Sequence, residues 1–371
     1  MQKYIRENKK PDYKVAILVF ALVAFGIIMI ASSSTVVAYE KFNDQNNYYF
    51  VWHQLVSLVI AFIAMSFFSN LDYRSLRKIS LPLMIATLIL LVAVFVPVIG
   101  NTAKGASRWI NLGFTTFQPS ELAKISFIIY LATWLESKKS QLSKLSKALL
   151  PFTIMIGIIS LLIILEPDLG TLTIIILTST IMFFVAGAPI WHLGSLGLFL
   201  LATFIGFVRS AEYRWERFMT FLNPAAEKLD QSYHINQAFI AVSQGGWWGK
   251  GYGQSLQKMR YLPEPHTDSI FAIICEELGF LRSGLVIAAF FYLFYLGLSI
   301  SRKAPDDFGK LLAIGIVSSL LIQAFINISA MLGLVPLTGV TLPFISYGGN
   351  SLIISFIQIG ILLNISKYAV E

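Results

Sequence analysis

Cysteine is almost missing from this chain. The one example, Cys275, lies in an apolar stretch, so no disulfide can close within the 371 residues and no cysteine metal site can form. Histidine is sparse as well. His53, His192, His234 and His266 are scattered, and no pair has the spacing of a zinc site. Asp, Glu, Lys and Arg together make up only 13% of the residues, against 56% hydrophobic, which excludes a water-soluble protein of this length. Length alone would suggest two or three domains; the apolar runs recur from end to end and predict one continuous membrane domain, 1–371. No internal repeat is visible, and the two halves lack matched broken helices, which weighs against an inverted-repeat transporter. Gly245–Gly253 (GGWWGKGYG) has neither the spacing nor the preceding strand of a phosphate-binding P-loop. The net charge of +8 forms no basic stripe interleaved with aromatics, so nucleic acid is not an expected partner.

What the sequence does contain is apolar runs. A spanning helix needs roughly 20 such residues. Ten stretches qualify, at about 15–37, 51–69, 79–99, 119–136, 149–166, 169–187, 189–208, 268–300, 309–333 and 345–366. The first follows a basic start and reads as a signal anchor that stays in the protein. The eighth is over-long, so it is tilted or begins above the bilayer. With the N-terminus in the cytoplasm, sixteen Lys and Arg fall on inside segments, and the short outer loops hold only Lys41, Lys104 and Arg108. That asymmetry predicts an all-α integral membrane protein with ten transmembrane helices, N-in and C-in.

One outer segment is out of proportion. Residues 209–267 form a large extracytoplasmic loop between spans seven and eight. Its first part, Arg209–Leu222, mixes Tyr213, Trp215 and Phe218 with charges, as a helix lying in the membrane interface would. The rest is rich in Gly, Trp and Tyr, which favours an ordered, functional loop.

Ionisable residues are costly inside apolar spans, so those present are candidates for function. Glu121 and Lys124, three apart in QPSELAK, share a helix face and can pair; the pair either fixes helix packing or faces substrate. Glu166 and Asp168 flank Pro167 in EPDLGT, where turn chemistry explains the Pro and Gly but not two carboxylates. Asp268 closes YLPEPHTD. It could be a plain helix cap, yet Glu264 and His266 stand beside it, and a carboxylate at the mouth of an apolar cavity suits a general base. Lys250, Lys258 and Arg260 precede it, three cations that would suit a phosphorylated lipid headgroup; a solvated basic loop is the alternative. The glycines of Gly245–Gly253 could let backbone approach a ligand. The Pro- and Gly-rich run Pro336–Ser351 (PLTGVTLPFISYGGNS) predicts irregular backbone at membrane depth, tolerated only where it lines a cavity or is buried in protein.

Taken in order, NTAKGASRWINLG, QPSELAK, EPDLGT, GKGYGQSLQKMRYLPEPHTDSIFAIICEELG and PLTGVTLPFISYGGNS resemble the SEDS family of bacterial cell-wall proteins over nearly the whole chain. RWERFMTFLNP, QKMRYLPE and the ending GILLNIS are closer to its division members than to its elongation members. Asn350 departs from the Ser or Thr usual after the two glycines.

The resemblance implies a peptidoglycan glycosyltransferase of the bacterial cytoplasmic (inner) membrane that polymerises lipid II, with undecaprenyl pyrophosphate as leaving group. The family's essential Asp matches Asp268, and its Glu–Lys pair matches Glu121 and Lys124. Around the catalytic Asp268, the implied substrate-binding set is Arg108, Glu121, Lys124, Glu166, Asp168, Lys250, Lys258, Arg260, Glu264, His266, Ser346 and Tyr347. No cofactor is certain, and the pyrophosphate leaves room for a divalent cation, Mg²⁺ or Mn²⁺. The implied partners are lipid II, a class B penicillin-binding protein (a transpeptidase), other division proteins and membrane lipid. A lipid II transporter and a non-catalytic division scaffold are the competing readings.

Overall fold

The computed structural model describes residues 10–42, 48–96, 100–103, 106–111, 113, 116–209, 212, 215, 219 and 230–369. All ten apolar stretches fall on helices, with ends that differ by a few residues. They are α1 (Tyr13–Phe42), α2 (Tyr49–Asn70), α3 (Arg74–Ala93), α4 (Pro119–Ser137), α5 (Leu150–Leu165), α6 (Leu169–Val185), α7 (Ile190–Arg209), α9 (Ile270–Lys303), α10 (Asp307–Met331) and α11 (Gly349–Lys367). An eleventh, α8 (Asp230–Gly245), lies between α7 and α9. Among the described residues, seven helices are long and apolar enough to cross a membrane. Helices α6 and α7 have shorter apolar stretches, and α4 carries Glu121, Lys124 and Glu136 in its 19 residues.

Helix α4 starts where chemistry dictates. Pro119 takes the first helical position, where its missing N–H costs nothing, and Glu121 sits at the positive end of the helix dipole. Helix α10 is buried along almost its full length and forms the centre of the bundle. Helices α2 and α11 lie close together because Gly349 and Gly360 face them: a Cβ at Gly360 would stand 2.6 Å from the Met65 carbonyl oxygen. Small residues at such contacts are what lets helices in a bilayer pack backbone to backbone.

Three expectations change in detail. The fold is not purely helical: β1 (Gly100–Ala103), β2 (Ala106–Asn111) and β3 (Thr116–Phe117) form an antiparallel sheet, with a register irregularity at Asn101/Thr102. The over-long eighth stretch is two helices in line, broken at Gly279 (φ 79°, ψ 177°), a conformation open in practice only to glycine. The large loop contains α8, whose Ile235, Ala238 and Ala241 are buried. The amphipathic run 209–222 lies largely outside the described residues.

The glycine-rich segment is explained by the break in α9. Gly246 and Trp247 carbonyls accept from Phe280 and Leu281 N–H, and Lys250 and Gly251 N–H donate to the Glu276 and Glu277 carbonyls. A Cβ at Gly249 would meet the Glu277 carbonyl oxygen at 2.3 Å. Gly245 and Gly249 therefore admit the chain's own helix backbone rather than a ligand, whereas Gly246 and Gly253 face open space.

Candidate active site

Two prolines steer the chain into Asp268. A residue before proline is pushed out of the right-handed helical region, and Glu264, before Pro265, sits at φ 48°. Its carbonyl accepts from Thr267 N–H (3.2 Å) and Ser269 N–H (3.4 Å), a turn that delivers the chain to α9. The N-cap position falls to Ser269, not to Thr267 or Asp268. The Thr267 hydroxyl lies 3.1 Å from Asp268 Oδ1 and 3.3 Å from Glu264 Oε2, so the two carboxylates compete for one donor. Asp268 is half-buried. Its Oδ2 lies 3.9 Å from where a Cβ on Gly339 would stand, and Gly339 holds φ 69°, so the carboxylate faces bare backbone of the loop before α11.

The later part of that loop (residues 332–348), Val340 and Leu342–Ser346, is buried in protein, while Leu334, Pro336 and Gly339 are exposed. Gly26 of α1 and Gly170 of α6 close on it, and a Cβ at either would collide with its Ile345 or Val340. Its backbone is satisfied by side chains from the surrounding helices, as irregular backbone at membrane depth requires. Gln54 of α2 donates to the Ser346 carbonyl (3.2 Å) and accepts from Gly348 N–H (3.2 Å). Gln323 of α10 donates to the Thr341 carbonyl (3.0 Å). Asn327 of α10 donates to the Asp268 and Val340 carbonyls, both at 2.7 Å.

The expected Glu121–Lys124 pair is present, with the Lys124 ammonium 2.9 Å from Glu121 Oε2 and both side chains buried. Lys124 also donates to Gln323 Oε1 (2.6 Å), whose amide reaches Ser351 Oγ (3.2 Å). The pair is thereby tied through α10 to the same loop that Asp268 faces.

The EPDLGT carboxylates separate in role. Asp168 caps α6, accepting from Thr171 N–H (3.1 Å), Ser120 Oγ (3.0 Å) and Gln118 Nε2 (3.3 Å). These bonds fix the α4–α6 junction and leave it as a structural group rather than a substrate contact. Glu166 sits in the turn between α5 and α6, outside both helices. It is 0% exposed, and neither carboxylate oxygen meets a hydrogen-bond donor among the described residues. Burial, then the nearby Asp168 charge, push its carboxyl up to about 8, against the opposing pull of Arg108. Arg108, half-exposed on β2, donates to the Glu166 carbonyl (2.9 Å) and to the Pro167 carbonyl, pinning the sheet to this turn.

The loop lysines are already occupied, which corrects their expected place in an open cationic wall. Lys258, 5% exposed, donates to Glu277 Oε1 (2.8 Å), Ser32 Oγ (2.9 Å) and the Gly253 carbonyl (2.7 Å), using all three of its N–H groups. Lys250 pairs with the buried Glu276 (2.7 Å), which also accepts from Ser255 and from Leu256 N–H (3.0 Å). An unpaired carboxylate inside the bundle would be costly, so these cations answer α9 first. Arg260 remains outward, its side chain 70% exposed and paired with Glu40.

His266 is likewise no cation. It is buried against Phe50 (ring centroids 4.3 Å) and Tyr347 (5.5 Å), and burial lowers its imidazole to about 4, so it is neutral near pH 7. The Ser346 hydroxyl accepts from Leu342 N–H (2.8 Å) inside its own turn, and Tyr347 N–H donates to the His266 carbonyl (2.9 Å). Both residues shape the loop. Sequence reasoning missed Gln323, Asn327, Ser32 and His234, whose ring nitrogen lies 2.7 Å from Ser269 Oγ. The signal for the first two was available: polar amides four apart in an apolar span share one face and seek partners. Among the described residues no three His, Cys, Asp or Glu side chains cluster as metal ligands would.

Residues 13–371 match the model of the Cell cycle protein family FtsW/RodA/SpoVE. The chain is 42% identical over 363 residues to stage V sporulation protein E of Bacillus subtilis, covering 98% of this chain and 99% of that one. It is 38% identical over 362 residues to a probable peptidoglycan glycosyltransferase FtsW of Geobacter sulfurreducens, covering 98% and 96%. Among solved structures, it aligns with a chain of a peptidoglycan synthase complex described as coordinating polymerization and crosslinking, at TM-score 0.80 and 27% identity, covering 96% and 97%. It also aligns with the rod shape determining protein RodA of Thermus thermophilus, at TM-score 0.71 and 26% identity, covering 97% and 98%.

Proposed function

Because the chain belongs to the FtsW/RodA/SpoVE family of cell cycle proteins, we propose that it is a peptidoglycan glycosyltransferase that polymerises lipid II in the bacterial inner membrane, with Asp268 as general base. The observation that carries this reading is the placement of Asp268. Four helices, α1, α2, α6 and α10, converge on the loop that its half-buried carboxylate faces.

An acceptor sugar hydroxyl attacks the anomeric carbon of the donor and passes its proton to Asp268. The new glycosidic C–O bond forms as the bond to the lipid pyrophosphate breaks, and the electron pair leaves with undecaprenyl pyrophosphate. One base with an inverting displacement suits the site better than a two-carboxylate glycosidase, in which the acids flank the bond. Here Glu264 shares the Thr267 hydroxyl with Asp268 and so stands on its side. Charge on the leaving pyrophosphate calls for cations. With Lys124, Lys250 and Lys258 paired to the buried Glu121, Glu276 and Glu277, that task falls to the two more exposed guanidiniums, Arg108, bonded to neutral carbonyls, and Arg260, paired with Glu40 at the surface. The ten-span, N-in/C-in arrangement belongs to this reading, as does a single-pass class B penicillin-binding protein as partner. The sporulation and division relatives, at 42% and 38%, do not separate the cellular roles.

The test is polymerisation by the purified protein given lipid II and its partner. Wild type is expected to make glycan polymer, and Asp268→Asn to make none while still folding and binding lipid II. Polymer from the Asn variant at the normal rate would sink the base assignment. Lipid movement across liposomes without any polymer would favour a transporter.

A further inference from the structure

Asn327 lies at the middle of the convergence just described, in a buried helix, with no charge and no place in the reaction. Its side chain is 1% exposed. Both of its amide hydrogens are spent on backbone carbonyls from different parts of the chain, Asp268 at 2.7 Å and Val340 at 2.7 Å. One carbonyl belongs to the residue that carries the candidate base. The other belongs to the neighbour of Gly339, the backbone that the base faces. A single planar amide therefore sets the distance between the Asp268 segment and the wall opposite its carboxylate.

One turn earlier on the same face of α10, Gln323 repeats the arrangement. It donates to the Thr341 carbonyl (3.0 Å), the next residue of that wall, and accepts from Lys124 (2.6 Å). Residues four apart on a helix move together, so α10 acts as a rail. It holds the base segment, the loop and the Glu121–Lys124 pair in fixed register. A carboxylate off by about 1 Å can cost roughly 10²-fold in rate when it must meet a hydroxyl at one position.

We infer that Asn327 is a positioning residue for glycosyl transfer, clamping the Asp268 segment to the loop at Val340 so that the carboxylate is aimed at the acceptor hydroxyl. The inference rests on the polymerase reading of Asp268. It assigns Asn327 no contact with substrate.

The test uses the full-length protein with its partner and lipid II, and follows kcat and KM separately. Asn327→Leu fills the same space but leaves both carbonyls unbonded. It is expected to lower kcat by about 10- to 100-fold with KM unchanged. In an Asp268→Glu background, whose longer carboxylate is already misplaced, adding Asn327→Leu is expected to cost much less than it does in wild type, because the two changes act through one geometry. Asn327→Ser, which can bond only one carbonyl, is expected to fall between wild type and the Leu variant. A wild-type kcat in Asn327→Leu overturns the proposal, as does a raised KM at constant kcat, or a full multiplicative loss in the Asp268→Glu background. Failure of both variants to fold would also overturn it, by making Asn327 a residue of the fold alone. Each of these outcomes leaves the catalytic reading standing if wild type polymerises; a wild type that makes no polymer sinks that reading instead.

Discussion

At the scale of single residues, the molecule treats its carboxylates in opposite ways. Glu276 and Glu277 are buried with donors on every side, whereas Glu166 is buried without one. A carboxyl in that position is held protonated, and its stability effect has a definite sign. Folding raises its pKa from an ordinary carboxylate value to about 8. The stabilisation is therefore complete below the unfolded value, about 4.3, declines as pH rises, and is gone once pH passes 8. The melting temperature of the detergent-solubilised protein should fall across that window. Glu166→Gln, which cannot ionise, should flatten the fall and melt above wild type at pH 8 to 9. A Gln variant that follows the wild-type profile would show that Glu166 is ionised throughout.

At the scale of elements, the decisive feature is the broken helix α9. Its break at Gly279 frees backbone groups that the glycine-rich segment then satisfies, and the same segment supplies Lys250 and Lys258 to the carboxylates beside the break. This explains why the sequence misled about the lysines. Three cations and a run of glycines before a carboxylate look the same in one dimension whether they await a phosphate or cover two glutamates. Only the pairing of Lys258 with Glu277 and Ser32 tells the two apart. By contrast, the Glu121–Lys124 pair was legible, because helical spacing alone places those side chains together. The lysine reading can be tested by removing one partner or both. Lys258→Met strands a buried Glu277 charge and should destabilise the protein by about 3–5 kcal/mol. Adding Glu277→Gln to it should restore most of that loss, measured as melting temperature and folded yield. A Lys258→Met protein of normal stability with a raised KM for lipid II would return Lys258 to the substrate.

At the scale of the whole molecule, the order of apolar runs predicted every long helix among the described residues except α8, because hydrophobic length is a local property. What the sequence concealed is how the runs meet. The convergence of α1, α2, α6 and α10 on residues 332–348 depends on glycine contacts and side-chain amides that carry no hydropathy signal. Sidedness is the remaining global property, and the catalytic reading depends on it. Lipid II must be met on the outer face, so Asp268 and the neighbouring Tyr261 have to lie opposite the lysine-rich turn at Lys138–Lys147. With Cys275 the only thiol in the chain, a Cys275→Ser protein is a clean background for single labels at two exposed positions, Tyr261 and Ser140. In intact spheroplasts a membrane-impermeant maleimide should label Tyr261→Cys at once and Ser140→Cys only after permeabilisation. The reverse pattern would put Asp268 in the cytoplasm, away from the growing wall, and would remove the polymerase reading whatever the chemistry of its carboxylate.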